Sequence, residues 1–138
     1  MAEPGCVFCR IVAGDEEAFV IGSSAGAVAF LDIAPLSRGH SLVVPTAHVP
    51  DLLAGGADVL HVVAPLVEET ARLLVGRLGA DGINLFQSSG EAAGQEVPHF
   101  HVHLVPRWKG DGVLRNLVRE PMPAEELDTL HAQLVGRV

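Results

Sequence analysis

Nine residues constrain this chain more than any others: residues 98–106 read Pro-His-Phe-His-Val-His-Leu-Val-Pro. From the first histidine on, polar and apolar side chains alternate. This predicts a β-strand, because successive side chains of a strand point to opposite faces. His99, His101 and His103 would then lie on one face, with neighbours about 6.6–6.8 Å apart along the strand. The other face is apolar and is predicted to pack into the core.

Three imidazoles on one strand face indicate a chemical site. The chain contains 7 histidines in all, so three at alternate positions are unlikely to arise by chance. Imidazole binds metals, transfers protons near neutral pH and attacks phosphorus or acyl groups. The alternative is that the rings are ordinary core histidines, but each would then need its own hydrogen-bond partner beside a glycine-containing loop. We therefore favour the chemical interpretation.

The rest of the pattern predicts an α+β domain. Strands are predicted at 19–21, 26–32, 41–45, 82–87 and 99–105, a short helix within 1–18, a long helix at 57–78 and a terminal helix at 123–135. Only the polar loop 88–97 separates the last two strands, so they can pair antiparallel in one sheet. No repeat or long linker divides the chain, which predicts a single domain over residues 1–138.

The long predicted helix contains one residue that disfavours a helix. Apolar side chains recur at helical spacing between Ala57 and Leu78, and Gly79 is suited to end the helix. Pro65 lies inside this range and costs roughly 3 kcal/mol relative to alanine in a helix interior. We expect a kink at Pro65 or a new helix start there.

Charge and composition exclude several function classes. The formal net charge is −8 without a cluster of basic residues, so we expect no binding to a nucleic acid polymer or an anionic membrane surface. No apolar stretch reaches the ~18–20 residues that span a bilayer, and the N-terminus does not resemble a signal peptide. A cytoplasmic location is therefore predicted. Hydrophobic residues make up 49% of the chain, which favours apolar surface covered by a partner subunit.

A pair of cysteines near the N-terminus suggests a metal site. Cys6 and Cys9 have a spacing common in zinc sites, although it also suits a redox pair or two ordinary buried cysteines. A zinc ion would need two more ligands. His48, just after the predicted strand at 41–45, and His99 are the natural candidates. A closed set of two cysteines and two histidines leaves no open position for substrate, so such a zinc would be structural.

Taken together, these residues resemble the histidine triad nucleotide-binding family. The run from His99 to Val105 matches that family's motif, in which three histidines alternate with apolar residues and two more apolar residues follow. Residues 29–33 and 38–45 are similar to its nucleotide-side strands and loop, and residues 6–9 are similar to its zinc-bearing bacterial members. The resemblance extends from Cys6 to about Gly112. It implies a five-stranded antiparallel sheet with one long helix, usually in a homodimer.

The resemblance also implies an activity and a set of site residues. Family members hydrolyse or transfer nucleoside monophosphates through a covalent nucleotidyl group on the middle histidine, which here is His101. The implied substrate is a purine nucleotide, expected to be an adenosine phosphoramidate or dinucleoside polyphosphate, cleaved at its α-phosphate. The implied ligands of a structural zinc are Cys6, Cys9, His48 and His99. The implied nucleotide contacts are to phosphate from Ser88, Gln95, His101 and His103, to ribose from Asp32, and to the base from Phe30 and Ile33. Many members have asparagine at the position of Ser88.

Two hypotheses from different classes follow. The first is an enzyme, a nucleotide hydrolase or transferase in which His101 is the nucleophile, and Gln95 and His103 stabilise developing charge. The second is a non-catalytic, zinc-containing purine-nucleotide-binding or scaffold protein that keeps the strand only to bind metal and ligand. The presence of all three triad histidines favours the enzyme. No role is assigned to His40, and two other histidines are predicted to lie on helix surfaces, His61 and His131.

Overall fold

The structure is a computed structural model that describes residues 2–115 and 117–136. Its strands form one antiparallel sheet in the order β1-β2-β3-β5-β4. The elements in chain order are α1 (Val7–Ala13), β1 (Val20–Ser24), β2 (Ala27–Leu31), β3 (Ser41–Pro45), α2 (Leu52–Leu78), β4 (Gly82–Gln87), a short 3-10 turn (Glu91–Ala93), β5 (Val102–Arg107) and α3 (Ala124–Val135). The predicted α+β fold, with a five-stranded antiparallel sheet, one long helix and a C-terminal helix, is confirmed.

Each face of the sheet is covered by a different part of the chain. On one face, Phe100, Val102 and Leu104 belong to the core cluster that packs against α2. On the other face, Phe8 of α1 packs with Phe30 and with the cysteine pair. The ring of Phe8 also contacts the first two histidines of the triad. The alternation in the sequence therefore points the apolar residues towards α2 and the histidines towards α1.

The ladder of β5 begins later than predicted. Val102–Arg107 pairs with the neighbouring strands, whereas the backbone N–H of Phe100 donates to the carbonyl of Val49 at 2.6 Å. Continuing the register of β3 with β5 would place Phe100 opposite Pro45, which has no N–H to donate. The first two histidines therefore lie in a segment just before the strand, and only His103 lies within it.

Helix α2 begins at Leu52, five residues before its predicted start at Ala57. The Asp51 carboxylate caps it by accepting a hydrogen bond from the Ala54 N–H at 2.8 Å. Its torsion angles leave the helical range only at Gly56, where φ is 62° and ψ is −160°, so a kink there joins the first turn to the regular helix, which begins at the predicted Ala57. The adjacent glycines conceal this first turn in the sequence, because glycine usually ends a helix rather than lying within one.

Of the two outcomes predicted at Pro65, the new helix start is wrong. The helix keeps helical torsion angles through Pro65. Two neighbouring side chains, Val63 and Leu66, are buried in the core against the sheet. Burial of each large apolar side chain contributes about 1.5–3 kcal/mol, which is enough to offset the cost of one proline. Packing therefore outweighs the intrinsic preference at this position.

Two further boundaries refine the prediction. The turn predicted over residues 22–25 is shorter, because β1 runs to Ser24 and β2 begins at Ala27. Gly26 takes a φ of 86°, which permits such a tight connection. The C-terminal helix α3 begins directly after Pro123, and its side chains are exposed. Among the described residues, no helix is long and apolar enough to cross a membrane.

Candidate functional site

Four side chains of the kind that bind metals meet beside α1. They are the predicted set of Cys6, Cys9, His48 and His99, and their ligand atoms all lie within 4.8 Å of one another. His99 Nδ1 lies 3.4 Å from Cys6 Sγ and 3.5 Å from Cys9 Sγ, and His48 Nδ1 lies 3.3 Å from Cys9 Sγ. The structure therefore brings together residues that are separated by up to 93 positions in the chain.

The geometry and hydrogen bonds of this cluster fit zinc. With Zn–S about 2.3 Å and Zn–N about 2.0–2.1 Å, a tetrahedron has a sulfur-to-nitrogen edge of about 3.6 Å, close to the distances above. His99 Nε2 donates to the carbonyl of Pro45 at 2.9 Å, which leaves the Nδ1 lone pair facing both sulfurs. The backbone N–H groups of Glu3 and Cys9 donate to the sulfurs of Cys9 and Cys6. Burial raises the pKa of the Cys6 thiol, so a thiolate there needs a cation beside it.

The hydrogen bond that His101 makes determines its tautomer. His101 is 6% exposed, and its Nδ1 lies 2.7 Å from the carbonyl oxygen of His99. A carbonyl only accepts, so Nδ1 carries the proton and Nε2 carries the lone pair. Burial lowers the pKa of His101, and the bond to His99 and the charges of Asp32 and Glu96 partly oppose this. The ring is therefore neutral at pH 7, and its nucleophilic nitrogen is Nε2.

A second chain of hydrogen bonds determines the tautomer of His103. The backbone N–H of Leu36 donates to His40 Nδ1 at 3.0 Å, and His40 Nε2 lies 2.9 Å from His103 Nδ1. Because His40 accepts at Nδ1, its neutral ring carries the proton on Nε2 and donates it to His103. His103 then carries its own proton on Nε2. Burial lowers the pKa of both rings, that of His103 to about 4, so His103 presents a neutral N–H donor.

The same tautomer argues against a second metal site. Asp32, His40 and His103 also lie close enough to share a cation. A metal on His40 Nε2 would force the remaining proton onto Nδ1, where it would face the N–H of Leu36. Two donors would then point at each other in a buried site, which is costly. Leu36, His40 and His103 are better described as a hydrogen-bond relay, with the Asp32 carboxylate beside it.

An aromatic side chain that sequence reasoning did not identify holds the His103 ring. Phe86 stacks on His103, with ring centroids 4.3 Å apart and planes 10° from parallel. The two residues are direct partners in the pairing of β4 with β5. The stacking fixes the ring plane, while His40 fixes the tautomer. Only the strand register could have revealed Phe86, because the sequence shows it simply as one more apolar strand residue.

The predicted ribose and base contacts lie at the end of β2, near the relay. Asp32 Oδ1 accepts from the Ala34 N–H at 2.9 Å, and Oδ2 lies 3.6 Å from His40 Nε2. Ile33 is 87% exposed and free to contact a ligand, whereas Phe30 is only 3% exposed and packs against Phe8. The structure thus places Asp32 beside the histidines. Base contact by Ile33 or Phe30 stays a prediction.

The loop before the histidines is held by the predicted phosphate ligand Gln95. Its amide NH₂ donates to the carbonyls of Pro50 at 2.7 Å and Val97 at 3.1 Å, and its oxygen accepts from the Gly90 N–H at 2.8 Å. Gln95 therefore fixes the shape of the loop, and a phosphate contact by its amide would require one of these bonds to be released. Ser88 is half-buried at the start of the loop. Phosphate contact by either residue stays a prediction.

The remaining histidines are accounted for as follows. His61 and His131 are exposed on α2 and α3, so their prediction as surface residues is confirmed. His40, which had no assigned role, is buried at the centre of the relay. Its place in the site could have been expected from its position directly before β3, because β3 pairs with the strand that carries His103.

Comparisons with known proteins agree with this geometry. The HIT domain family profile matches residues 13–110. The adenosine 5'-monophosphoramidase of Schizosaccharomyces pombe is 31% identical over 134 residues, covering 96% of this chain and 98% of that protein. The crystal structure of a HIT family member from Bacillus subtilis has a TM-score of 0.85 at 27% identity, and 97% of each chain is covered. A zinc-bound histidine triad family protein from Mycobacterium smegmatis has a TM-score of 0.76 at 38% identity, with 94% of this chain and 95% of that one covered. With its triad on one sheet face and this profile match, the chain belongs to the histidine triad (HIT) family.

Proposed function

We propose that the chain is a nucleotide hydrolase or nucleotidyl transferase. It cleaves at the α-phosphate of an adenosine phosphoramidate or a dinucleoside polyphosphate through a nucleotidyl group on His101. The observation that carries the proposal is the state of His101. Its ring is buried and neutral, and the carbonyl of His99 holds the Nδ1 proton so that Nε2 is the free nucleophile. Family membership and the name of the fission yeast relative support the same activity.

The proposed reaction has two displacements at phosphorus. Nε2 of His101 attacks the α-phosphorus, and the bond from phosphorus to the leaving group breaks. The negative charge that develops on the phosphate oxygens is met by the Nε2–H of His103, whose orientation the relay through His40 fixes. Water then attacks the nucleotidyl-histidine and releases AMP. Because His103 is neutral, it acts as a directed hydrogen-bond donor rather than as a cation.

The remaining nucleotide contacts follow the family pattern. Asp32 would hold the ribose hydroxyls, and Ile33 with Phe30 would line the base pocket. Ser88 and Gln95 would lie at the phosphate end. Asp32 supports this arrangement best, because its carboxylate lies at the end of β2, near the relay.

Zinc has a structural role in this proposal. It would be held by Cys6, Cys9, His48 and His99, whose ligand atoms lie within 4.8 Å of one another, and the hydrogen bond of His99 to Pro45 leaves its Nδ1 lone pair facing the sulfurs. A closed set of four ligands leaves no position for substrate. His99 would connect the metal to the chemistry, because its ring binds zinc while its carbonyl accepts the Nδ1 proton of His101. Reduced cysteines of this kind are consistent with the predicted cytoplasmic location.

We also propose that the protein is a homodimer. The edge strand β4 and the neighbouring face of α2 form an apolar groove of about 380 Å³, with Leu60, Val67 and Leu85 in its lining. Leu85 is 53% exposed and Leu60 is 44% exposed. A strand edge beside exposed leucines is a surface that proteins usually cover. A second copy of the chain, related by a two-fold axis, would cover both.

The direct test is AMP release from a panel of adenosine phosphoramidates and dinucleoside polyphosphates, followed by chromatography. His101→Ala is expected to lower turnover by at least ~10³, equivalent to about 4 kcal/mol of barrier, because no other nucleophile has the same geometry. AMP binding should persist within about tenfold, or ~1.4 kcal/mol, since ribose and base are bound elsewhere. His61→Ala, an exposed histidine on α2, is the matched control and should retain full activity.

The intermediate provides a second readout. Mass spectrometry after a rapid acid-free quench should show one added AMP on the native protein and none on His101→Ala. Turnover retained in that variant would refute the covalent mechanism in favour of direct attack by water. Tight AMP binding without release from any substrate would instead support the non-catalytic nucleotide-binding protein.

A further inference from the structure

The two cysteines have a chemistry that no step of the proposed reaction uses. Cys6 and Cys9 are both free thiols, and their sulfurs lie within 4.8 Å of each other. Because the sulfurs of a disulfide are about 2.0 Å apart, the pair can close with a movement of less than about 3 Å. Cys6 is the N-cap of α1 and has extended torsion angles, φ −90° and ψ 120°. Its side chain is therefore not held by the helix and can turn towards Cys9.

A cavity of about 410 Å³ leads to one cysteine of the pair. Its lining includes the exposed residue Glu3, together with Cys6 and His48, but not Cys9. Cys9 is also the more buried cysteine, at 4% exposure against 8% for Cys6. A water molecule takes up about 30 Å³, so hydrogen peroxide, which is only slightly larger, fits this space. Cys6 is therefore the sulfur that a small oxidant meets first, with Cys9 behind it.

Helix α1 connects the cysteine pair to the proposed nucleophile. Phe8 lies between the cysteines in the sequence, and its ring contacts those of His99 and His101 edge-on, at centroid distances of 5.9 Å and 5.1 Å. The Nδ1 atom of His99 lies 3.4 Å from Cys6 Sγ and 3.5 Å from Cys9 Sγ. The carbonyl of the same His99 accepts the Nδ1 proton of His101. A change at the sulfurs therefore reaches His101 through two of its neighbours.

We propose that Cys6 and Cys9 form an oxidation site, at which hydrogen peroxide converts the pair into a disulfide and thereby releases α1 from the sheet. The Cys6 thiolate attacks one peroxide oxygen, the O–O bond breaks, and the departing hydroxide takes up a proton to become water. The Cys9 thiolate then attacks the sulfenic acid on Cys6, and the S–O bond breaks as the S–S bond forms. The second hydroxide also becomes water. The two sulfurs lose two electrons, which the peroxide gains.

The disulfide removes two of the four ligands in the predicted metal cluster. His48 and His99 remain, and two imidazoles do not complete the four-coordinate site of a structural zinc. The ion and its contribution to folding are then lost, and α1, with seven residues, is too short to be stable by itself. The effect on activity rests on the proposed function, whereas disulfide formation does not. Because a misplacement of about 1 Å can cost ~10²-fold in rate, we expect turnover to fall at least about tenfold.

The experiment adds hydrogen peroxide to the native protein as purified, without substrate, and afterwards a dithiol reductant with zinc. Both thiols should disappear, the chain should lose the mass of two hydrogen atoms, and peptide mapping should find Cys6 linked to Cys9. One zinc per chain should pass to a chromogenic chelator. Amide hydrogen exchange in α1 should become faster, because the helix opens locally. The reductant with zinc should reverse all of these changes and restore AMP release.

Two variants separate the cysteine pair from other oxidisable groups. Cys6→Asp keeps a capping side chain and an oxygen ligand for zinc, but it cannot form the disulfide. Its zinc should stay bound in peroxide, and its activity should fall less than that of the native protein, each relative to its own untreated sample. Met122→Leu is the matched control, because Met122 is 46% exposed and methionine is also oxidised by peroxide. It should respond as the native protein does.

Failure of the native protein to lose both thiols or to release zinc would overturn the proposal. Disulfides between chains in place of the Cys6–Cys9 link would overturn it too, as would equal release of zinc from the native protein and Cys6→Asp. Unchanged exchange in α1 after the disulfide has formed would refute the release of the helix. If Cys6→Asp binds no zinc, the mapped disulfide and the zinc release of the native protein decide the question. If no substrate yields AMP, the proposed function fails, while the thiol, zinc and exchange measurements still decide the oxidation.

Discussion

A neutral imidazole attacks phosphorus only through the nitrogen that carries no proton, so the chemistry of this site depends on where three protons lie. Backbone groups determine all three positions. The carbonyl of Pro45 accepts the Nε2–H of His99, and the carbonyl of His99 accepts the Nδ1–H of His101. The N–H of Leu36 orients His40, which in turn orients His103. Each ring of the triad is thus left with one nitrogen of defined protonation that faces a metal or a ligand, whereas both nitrogens of His40 are engaged.

Burial keeps these rings uncharged over a wide pH range. Burial, together with the charges of His101 and His40, lowers the pKa of His103 to about 4 against the opposing charge of Asp32. An unfolded histidine titrates near 6.5, so the unfolded chain binds more protons than the folded one between about pH 4 and 6.5. Stability contributed by neutral His103 is therefore complete above this window and is lost as the pH falls through it.

The relay predicts a specific role for His40. His40→Leu removes the donor that fixes the His103 tautomer, and we expect kcat to fall by about 10²-fold. Loss of the hydrogen bond to neutral His103, and of the repulsion from His40 once it is protonated, should also raise the pKa of His103, so the acid limb of the pH profile should move to higher pH. His40→Gln keeps an N–H near the same place and should recover part of the rate. An unchanged acid limb in His40→Leu, or no recovery by glutamine, would contradict the relay.

The sequence identified the triad histidines as site residues but gave no role to His40 or Phe86, and the reason is physical. The alternation from His99 to His103 depends on one strand alone, so it could be interpreted without any tertiary information. The contacts of His40 and Phe86 depend on which strands are neighbours and in which register. No local pattern encodes that register, and both residues were therefore missed as parts of the site.

At the scale of elements, α1 has seven residues and is too short to be stable by itself. Phe8 packs against Phe30 and the histidine rings, and the Cys6 sulfur accepts the N–H of Cys9 at the start of the helix. A zinc ion bound by the cysteines would attach this element to the sheet. The free energy of metal binding would then contribute to folding.

This arrangement predicts one structural zinc per chain. Elemental analysis of protein purified without added metal should find about one zinc, and Cys6→Ser should lose it. Chelation is expected to lower the Tm by at least about 5 °C, or more than ~1 kcal/mol for a chain of this size. The control is His61→Gln, which should keep both zinc and Tm. Absence of zinc together with an unchanged Tm in Cys6→Ser would remove the metal from this description of the fold.

Helix α2 shows where prediction from local preference fails. Its apolar spacing was sufficient to predict a helix ending at Gly79, as observed. Pro65 continues the helix with helical torsion angles, whereas the torsion angles of Gly56, for which nothing was predicted, leave the helical range. Local preference gives the free-energy cost of placing each residue in a helix. The packing of Val63 and Leu66 against the sheet decides the outcome, and it becomes known only with the tertiary structure.

At the scale of the whole molecule, the apolar residues are divided between two core clusters and an exposed remainder. β1 and β4 are the two edges of the sheet, and both have exposed apolar side chains, Phe19 and Val20 at β1 and Leu85 at β4. Beside β4, exposed apolar side chains of the strand and of α2 line one groove. The high hydrophobic content of the sequence indicated that some apolar surface would be covered by a partner, but only the fold shows which edge carries it.

The dimer prediction places the interface on the groove beside β4. Light scattering at micromolar concentration should give twice the chain mass of 14.5 kDa. Leu85→Lys places a charge in the groove beside β4 and should shift the mass towards that of one chain, because burying an unpaired charge in an apolar interface is costly. Phe19→Lys is the matched control, since Phe19 is 68% exposed beside the opposite edge, and it should stay dimeric. A native mass of one chain would refute the dimer. Equal dissociation of both variants would place the interface elsewhere than on β4.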